Sequence, residues 1–173
     1  AAISILDNGS PILPSGQEYN RAEVFTYMIA AVVYLFGSSE FSLRILPVFF
    51  GVVSVFMTFV FTRKLFNERA GLLAALFIAI SPICVQWSQE LRMYSFFQLL
   101  FLIASYLFYI GLNYNENKFK KCCLFLIFGV VFLFSMKIHV LSFMIIPSIF
   151  VYILASMLFY GVPFGRNNCF KYL

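Results

Sequence analysis

Apolar positions in this chain fall in long unbroken runs, without the alternation of a sheet. Ile45 to Thr62 carries no charge and lies between Arg44 and Arg63. Residues 70–89 form a second run, bounded by Arg69 and Glu90, and Met93 to Tyr114 form a third. Cys122 to Met136 is shorter, but Lys137 and His139 can extend it to an interface; Val140 to Gly165 is the fifth. A bilayer core about 30 Å thick needs roughly 20 mostly apolar residues to cross it. In lipid each backbone donor and acceptor must be satisfied within the segment, so these runs predict α-helices. Val24 to Phe36 is apolar but too short to span. It follows a polar stretch holding Gly9, Pro11, Pro14 and Gly16, and reads as a helix lying in the interface. Gly37-Ser38-Ser39 then breaks the chain, with Ser39 placed to cap the next helix. Pro47, Pro82 and Pro147 fall inside or near the ends of spans, where neighbouring helices can re-satisfy the groups they free. The expected fold class is all-α, a polytopic transmembrane helix bundle of about five spans plus one interfacial helix.

Composition sharpens this picture. The 173 residues are 62% hydrophobic and 11% charged, with a mean hydropathy of +0.93. Soluble domains carry about 25% charged residues, so a soluble enzyme, a disordered tail and a disulfide scaffold are excluded. The net charge is +5. A basic balance can mean nucleic acid, but here the cations sit singly or in short groups between apolar runs, so the partner is the bilayer and no nucleic acid is expected. Cys84, Cys122, Cys123 and Cys169 show neither CxxC spacing nor a His cluster, and no zinc site is expected. Cys122 and Cys123 read as small apolar residues, with palmitoylation the alternative.

Charge also sets orientation. Arg63, Lys64, Arg69, Lys118, Lys120, Lys121, Arg166 and Lys171 fall in one set of loops, against Arg21, Arg44, Arg92 and Lys137 in the other. By the positive-inside rule the first set faces the cytoplasm. One transmembrane module follows: an outer loop 1–22, an interfacial helix 23–37, about five spans within 40–165, and a cytoplasmic end 166–173. The chain opens on Ala1 in a polar stretch and reads as a fragment of a longer protein.

Chemistry concentrates on the outer side. Ser88-Gln89-Glu90-Leu91-Arg92-Met93-Tyr94 is a very short turn between two spans, yet it gathers Gln, Glu, Arg and Tyr. Two readings stay open. In one, Trp87 and Tyr94 belong to an aromatic belt and Arg92 snorkels, paired with Glu90. In the other, the planar fork of Arg92 grips an anionic group, and Glu90 orients it, binds a metal or holds an acceptor. Arg44 is either an end-anchor paired with Glu40 at i,i+4 or part of the same anion site. Lys137 and His139 lie on that side too.

The blocks Phe36-Gly37 to Pro47, Arg63 to Ala75, and Ser81-Pro82 to Tyr94 resemble the type-C membrane glycosyltransferases. They are most similar to the branch holding protein O-mannosyltransferases and the aminoarabinose transferases of lipid A. The resemblance spans about residues 8–147 and implies an enzyme moving a sugar from a polyprenyl-phosphate donor to an acceptor on the outer side. It places Arg44 and Arg92 at the donor phosphate, assisted by Lys137 or His139, with Glu90 and Tyr94 beside them. Glu18, Tyr19 and Arg21 border the donor site. It puts the catalytic carboxylate in the first outer loop, ahead of Ala1, so Asp7 is not assigned that role and the fragment alone is expected to be inactive. The resemblance specifies no cofactor and leaves a divalent metal open. It implies an integral protein of a bacterial inner membrane or of the endoplasmic reticulum. With no glycine-rich phosphate loop, nucleotide sugars are poor donor candidates. The rivals are a transporter or channel subunit, which would place ionisable residues at mid-span, and a non-catalytic structural subunit, whose outer charges should tolerate replacement.

Overall fold

The computed structural model describes residues 1–13, 15–19 and 22–160. They form helices α1 (Ala2–Asn8), α2 (Glu23–Phe36), α3 (Glu40–Leu65), α4 (Glu68–Ile80), α5 (Pro82–Gln89), α6 (Tyr94–Asn113), α7 (Lys118–Ile138) and α8 (Ile145–Tyr160), with a 3-10 turn at Val140–Met144. No strand occurs among the described residues; Ile12 and Glu18 form an isolated bridge. The fold is an all-α bundle. Its starts are set by short polar side chains that satisfy free helix amides. Ser39 Oγ accepts from the Ser42 amide at 3.2 Å and opens α3. Asn67 Oδ1 accepts from Ala70 at 2.9 Å and opens α4; Asn117 Oδ1 accepts from Phe119 at 2.8 Å and opens α7.

Helices α3, α6 and α7 are each long and apolar enough to cross a membrane. The expected single span 70–89 is instead a bent pair, α4 and α5, meeting at 59°. Pro82, the first residue of α5, brings no amide hydrogen and pushes Ser81 into extended backbone (φ −64°, ψ 120°). The fifth expected run, 140–165, is described as far as Tyr160. It begins as a 3-10 turn, and α8 follows for 16 residues to Tyr160, where the described residues end. Three unbroken crossings and a bent fourth therefore stand, among the described residues, where about five were expected. Residues 161–173, including the expected cytoplasmic end, lie outside the described residues. The stretch expected as an outer loop, 1–22, holds the two-turn α1, closed by Gly9 in left-handed backbone at φ 74° and packed on α2.

The core joins α2, α3 and α6. Phe50 stacks on Phe96 with ring centres 4.5 Å apart, and Phe25 of α2 lies 6.3 Å from Phe96. Ala22, Ile29, Val33, Phe97, Leu99 and Leu100 also belong to it, with Ile138 joining from α7. The outer faces of the long helices are apolar and bare: Phe49, Val52, Phe56, Leu126, Val130 and Leu133 are all exposed. So broad an apolar surface needs a hydrocarbon solvent, and the chain is an integral membrane protein. Between helices, small residues allow close approach. An added Cβ at Gly51 would lie 2.7 Å from Ser88 Cβ, and one at Gly71 would lie 3.0 Å from the Phe59 carbonyl oxygen. The first contact seats α5 against α3; the second closes the α3–α4 hairpin.

Candidate functional site

The start of α3, the end of α5, the start of α6 and the end of α7 share one end of the bundle. Residues of α3, α5 and the 90–93 turn line one cleft, and the Tyr94 and His139 rings, 5.8 Å apart, bring the end of α7 to the start of α6. A cleft of about 540 Å³ opens there, lined by Glu40, Leu43, Arg44, Gln86, Gln89, Glu90, Leu91 and Arg92. The two arginines expected at an anion therefore face one cavity.

Their environments differ. Arg44 Nη2 lies 2.7 Å from Glu40 Oε1, an i,i+4 pair with both side chains at least half exposed. The i,i+4 pair expected between Arg44 and Glu40 is thus present, though an exposed pair of this kind is worth only about 0.3–0.5 kcal/mol. Arg92 has no carboxylate within salt-bridge distance among the described residues. Its Nη1 donates to Tyr94 Oη at 3.4 Å. That hydrogen bond and the Coulombic influence of Tyr94 and Glu90 raise its pKa above the ordinary arginine value. Glu90 does not pair with Arg92 as the belt reading expected. Its Oε1 accepts from Gln86 Nε2 at 2.7 Å instead. One helical turn separates Gln86 from Glu90, whereas the chain turns at residues 90–93 and aims Arg92 elsewhere.

Tyr94 ties the site to α7. Its ring lies 5.5 Å from Trp87 and 5.8 Å from His139, and His139 lies 5.1 Å from Phe97. His139 Nδ1 accepts from the Leu141 amide at 3.1 Å, which makes it the cap of the 3-10 turn. Lys137, in the last turn of α7, is exposed and joins none of these groups by a hydrogen bond or ion pair among the described residues. Tyr19 lines a second, smaller cleft that also reaches Arg92. Arg21 lies outside the described residues. Gln86 and Gln89 line the cleft but carry no individual assignment from the sequence; the signal available was the i,i+4 spacing of Gln86 and Glu90. No three of His, Cys, Asp and Glu converge as metal ligands among the described residues. The arrangement can therefore hold an anion at Arg92 and present carboxylates and carboxamides to a polar ligand beside it.

The sequence pattern of the dolichyl-phosphate-mannose-protein mannosyltransferase family matches residues 20–162. No curated protein and no solved structure matches the chain.

Proposed function

Because the chain belongs to the dolichyl-phosphate-mannose-protein mannosyltransferase family, we propose that it serves a membrane glycosyltransferase that uses a polyprenyl-phosphate-linked sugar. The acceptor sits on the outer or lumenal side, in a bacterial inner membrane or the endoplasmic reticulum. The branch is the one shared by protein O-mannosyltransferases and aminoarabinose transferases. In the reaction the bond from the anomeric carbon to the phosphate oxygen breaks, an acceptor oxygen takes its place, and the lipid phosphate leaves with the negative charge. A fixed cation at that oxygen lowers the barrier, since preorganised charge acts where charge develops.

The observation that carries this reading is the Arg92 guanidinium: cationic, free of an ion pair, and set in the wall of the 540 Å³ cleft. Arg44 contributes charge across the cleft. Glu40 and Glu90 are already engaged by Arg44 and Gln86, so neither is given the task of taking the acceptor proton. The Asp, Glu, Lys and Arg side chains of α3 and α7 sit near helix ends, and α6 carries none of these residue types, which favours an interfacial site over a permeation path. In membranes containing the protein, Arg92→Ala should cut sugar transfer by about 100-fold or more, the usual size for one transition-state donor. Arg92→Lys should recover only part, because an ammonium lacks the planar fork. Membrane insertion should be unchanged in both. Wild-type transfer by Arg92→Ala would remove the assignment.

A further inference from the structure

An exposed arginine samples many rotamers and loses that freedom when an anion binds. Whatever holds its guanidinium beforehand therefore strengthens binding. Arg92 is exposed, and among the described residues its side chain makes one hydrogen bond, from Nη1 to Tyr94 Oη. What fixes Tyr94 thus bears on Arg92. The Tyr94 ring meets Trp87 at the end of α5 and His139 at the end of α7, with centres 5.5 and 5.8 Å apart. Both distances fall in the range of about 4.5–7 Å usual for paired rings. Resting on the donor reading above, we propose that His139 is a positioning residue: through the Tyr94 ring it holds the Arg92 guanidinium in place, and it does not itself grip the anion.

His139 is firmly seated for this task. Its ring also meets Phe97 at 5.1 Å, and its Nδ1 accepts from the Leu141 amide. Its carbonyl oxygen accepts from Ser142 Oγ at 2.8 Å, and Ser142 Oγ lies 2.7 Å from Ser135 Oγ. Both serines are fully buried. Rearranging such a pair would leave a hydroxyl without a partner in an apolar interior, which opposes any shift of this end of α7. Among the described residues, neither Tyr94 nor His139 lines either of the clefts that Arg92 borders. They stand behind the arginine, and the buried serines stand behind them. The imidazole so links α7 to a cation carried by the turn between α5 and α6.

His139 has two duties, and substitution separates them. His139→Asn keeps an acceptor for the amide two residues on, as Asn does in an Asx turn, and loses the ring. His139→Phe keeps a ring against Tyr94 and loses the acceptor. The readout is the affinity of the full-length protein in nanodiscs for dolichyl-phosphate-mannose. His139→Asn and Tyr94→Phe should each weaken binding by about three- to tenfold, the size of one lost hydrogen bond. His139→Phe should recover most of what His139→Asn loses. In an Arg92→Ala background, His139→Asn and Tyr94→Phe should cause no further loss, because residues that act through a third are coupled to it. If His139→Phe binds as weakly as His139→Asn, the ring is not what matters and the positioning role is overturned. Equal losses with and without Arg92 would mean an effect on the fold alone and would overturn it too. Both results leave the donor reading standing. A wild-type protein that does not bind the probe, or an Arg92→Ala protein that binds it as well as wild type, overturns the donor reading and the positioning role with it.

Discussion

At the level of single residues, Glu90 is the group whose behaviour turns on one neighbour. Its carboxylate is held by Gln86 at 2.7 Å, while Arg92 lies two residues further along the chain. Replacing Gln86 by Ala removes the holding donor and leaves Glu90 free to close on Arg92. The expected result is a donor affinity lower by roughly three- to tenfold, as a new ion pair competes with the phosphate. Gln86→Ala combined with Glu90→Gln should restore it, because the competing charge is gone. Titration of donor binding for the two variants checks both points. Several residue assignments were legible in the sequence. Ser39 caps α3 as its position predicts, and Arg44 meets Glu40 because i,i+4 spacing puts them on one helix face. Arg92 was legible as a cation but its surroundings were not. Its contacts to Tyr94 and the second cleft depend on how the chain turns at residues 90–93, and no periodicity encodes that.

Among the elements, α5 decides the shape of the cleft. It carries Gln86 and Gln89, and it is seated on α3 where Gly51 meets Ser88. The helix interior leaves no room: a Cβ at residue 51 would fall 2.7 Å from Ser88 Cβ. Gly51→Ala should therefore push α5 outward, at a cost of about 1–3 kcal/mol for overpacking, visible as a lower midpoint of thermal unfolding in detergent. Gly51→Ala with Ser88→Gly should recover most of the loss, since the second change vacates the clashing atom; contacting pairs couple in this way. If the double variant is as unstable as the sum of the singles, Gly51 and Ser88 do not set the approach of the two helices. The break before α5 shows a limit of reading runs. Hydropathy continues without interruption from Ala70 into α5, and prolines are tolerated inside spans, as Pro47 is within an unbroken α3. Only the backbone reveals that Pro82 bends the path and Pro47 does not.

For the molecule as a whole, lipid is what made the architecture readable. A solvent that cannot bond to the backbone forces helices of a set length, so α3, α6 and α7 follow from their uninterrupted runs, while α1 escaped notice because seven residues near a polar loop give no such signal. The same solvent supplies the sharpest test of the common cleft. Six basic residues, Arg63, Lys64, Arg69, Lys118, Lys120 and Lys121, gather in the loops opposite the Arg92 end, against Glu68 and Glu116. The positive-inside rule predicts a cytoplasmic face for loops this rich in Lys and Arg, and so predicts that the start of α3 and the residue 90–93 turn lie together on the far side. Three single-cysteine variants report this in sealed vesicles treated with a membrane-impermeant maleimide: the native Cys122, Phe41→Cys and Leu91→Cys, all at exposed positions. With the outer face presented to the reagent, Phe41→Cys and Leu91→Cys should both react and Cys122 should react only after detergent. Reaction of Phe41→Cys and Leu91→Cys from opposite faces would mean that Arg44 and Arg92 never share a cavity in the membrane, and a phosphate could not be held between their helices.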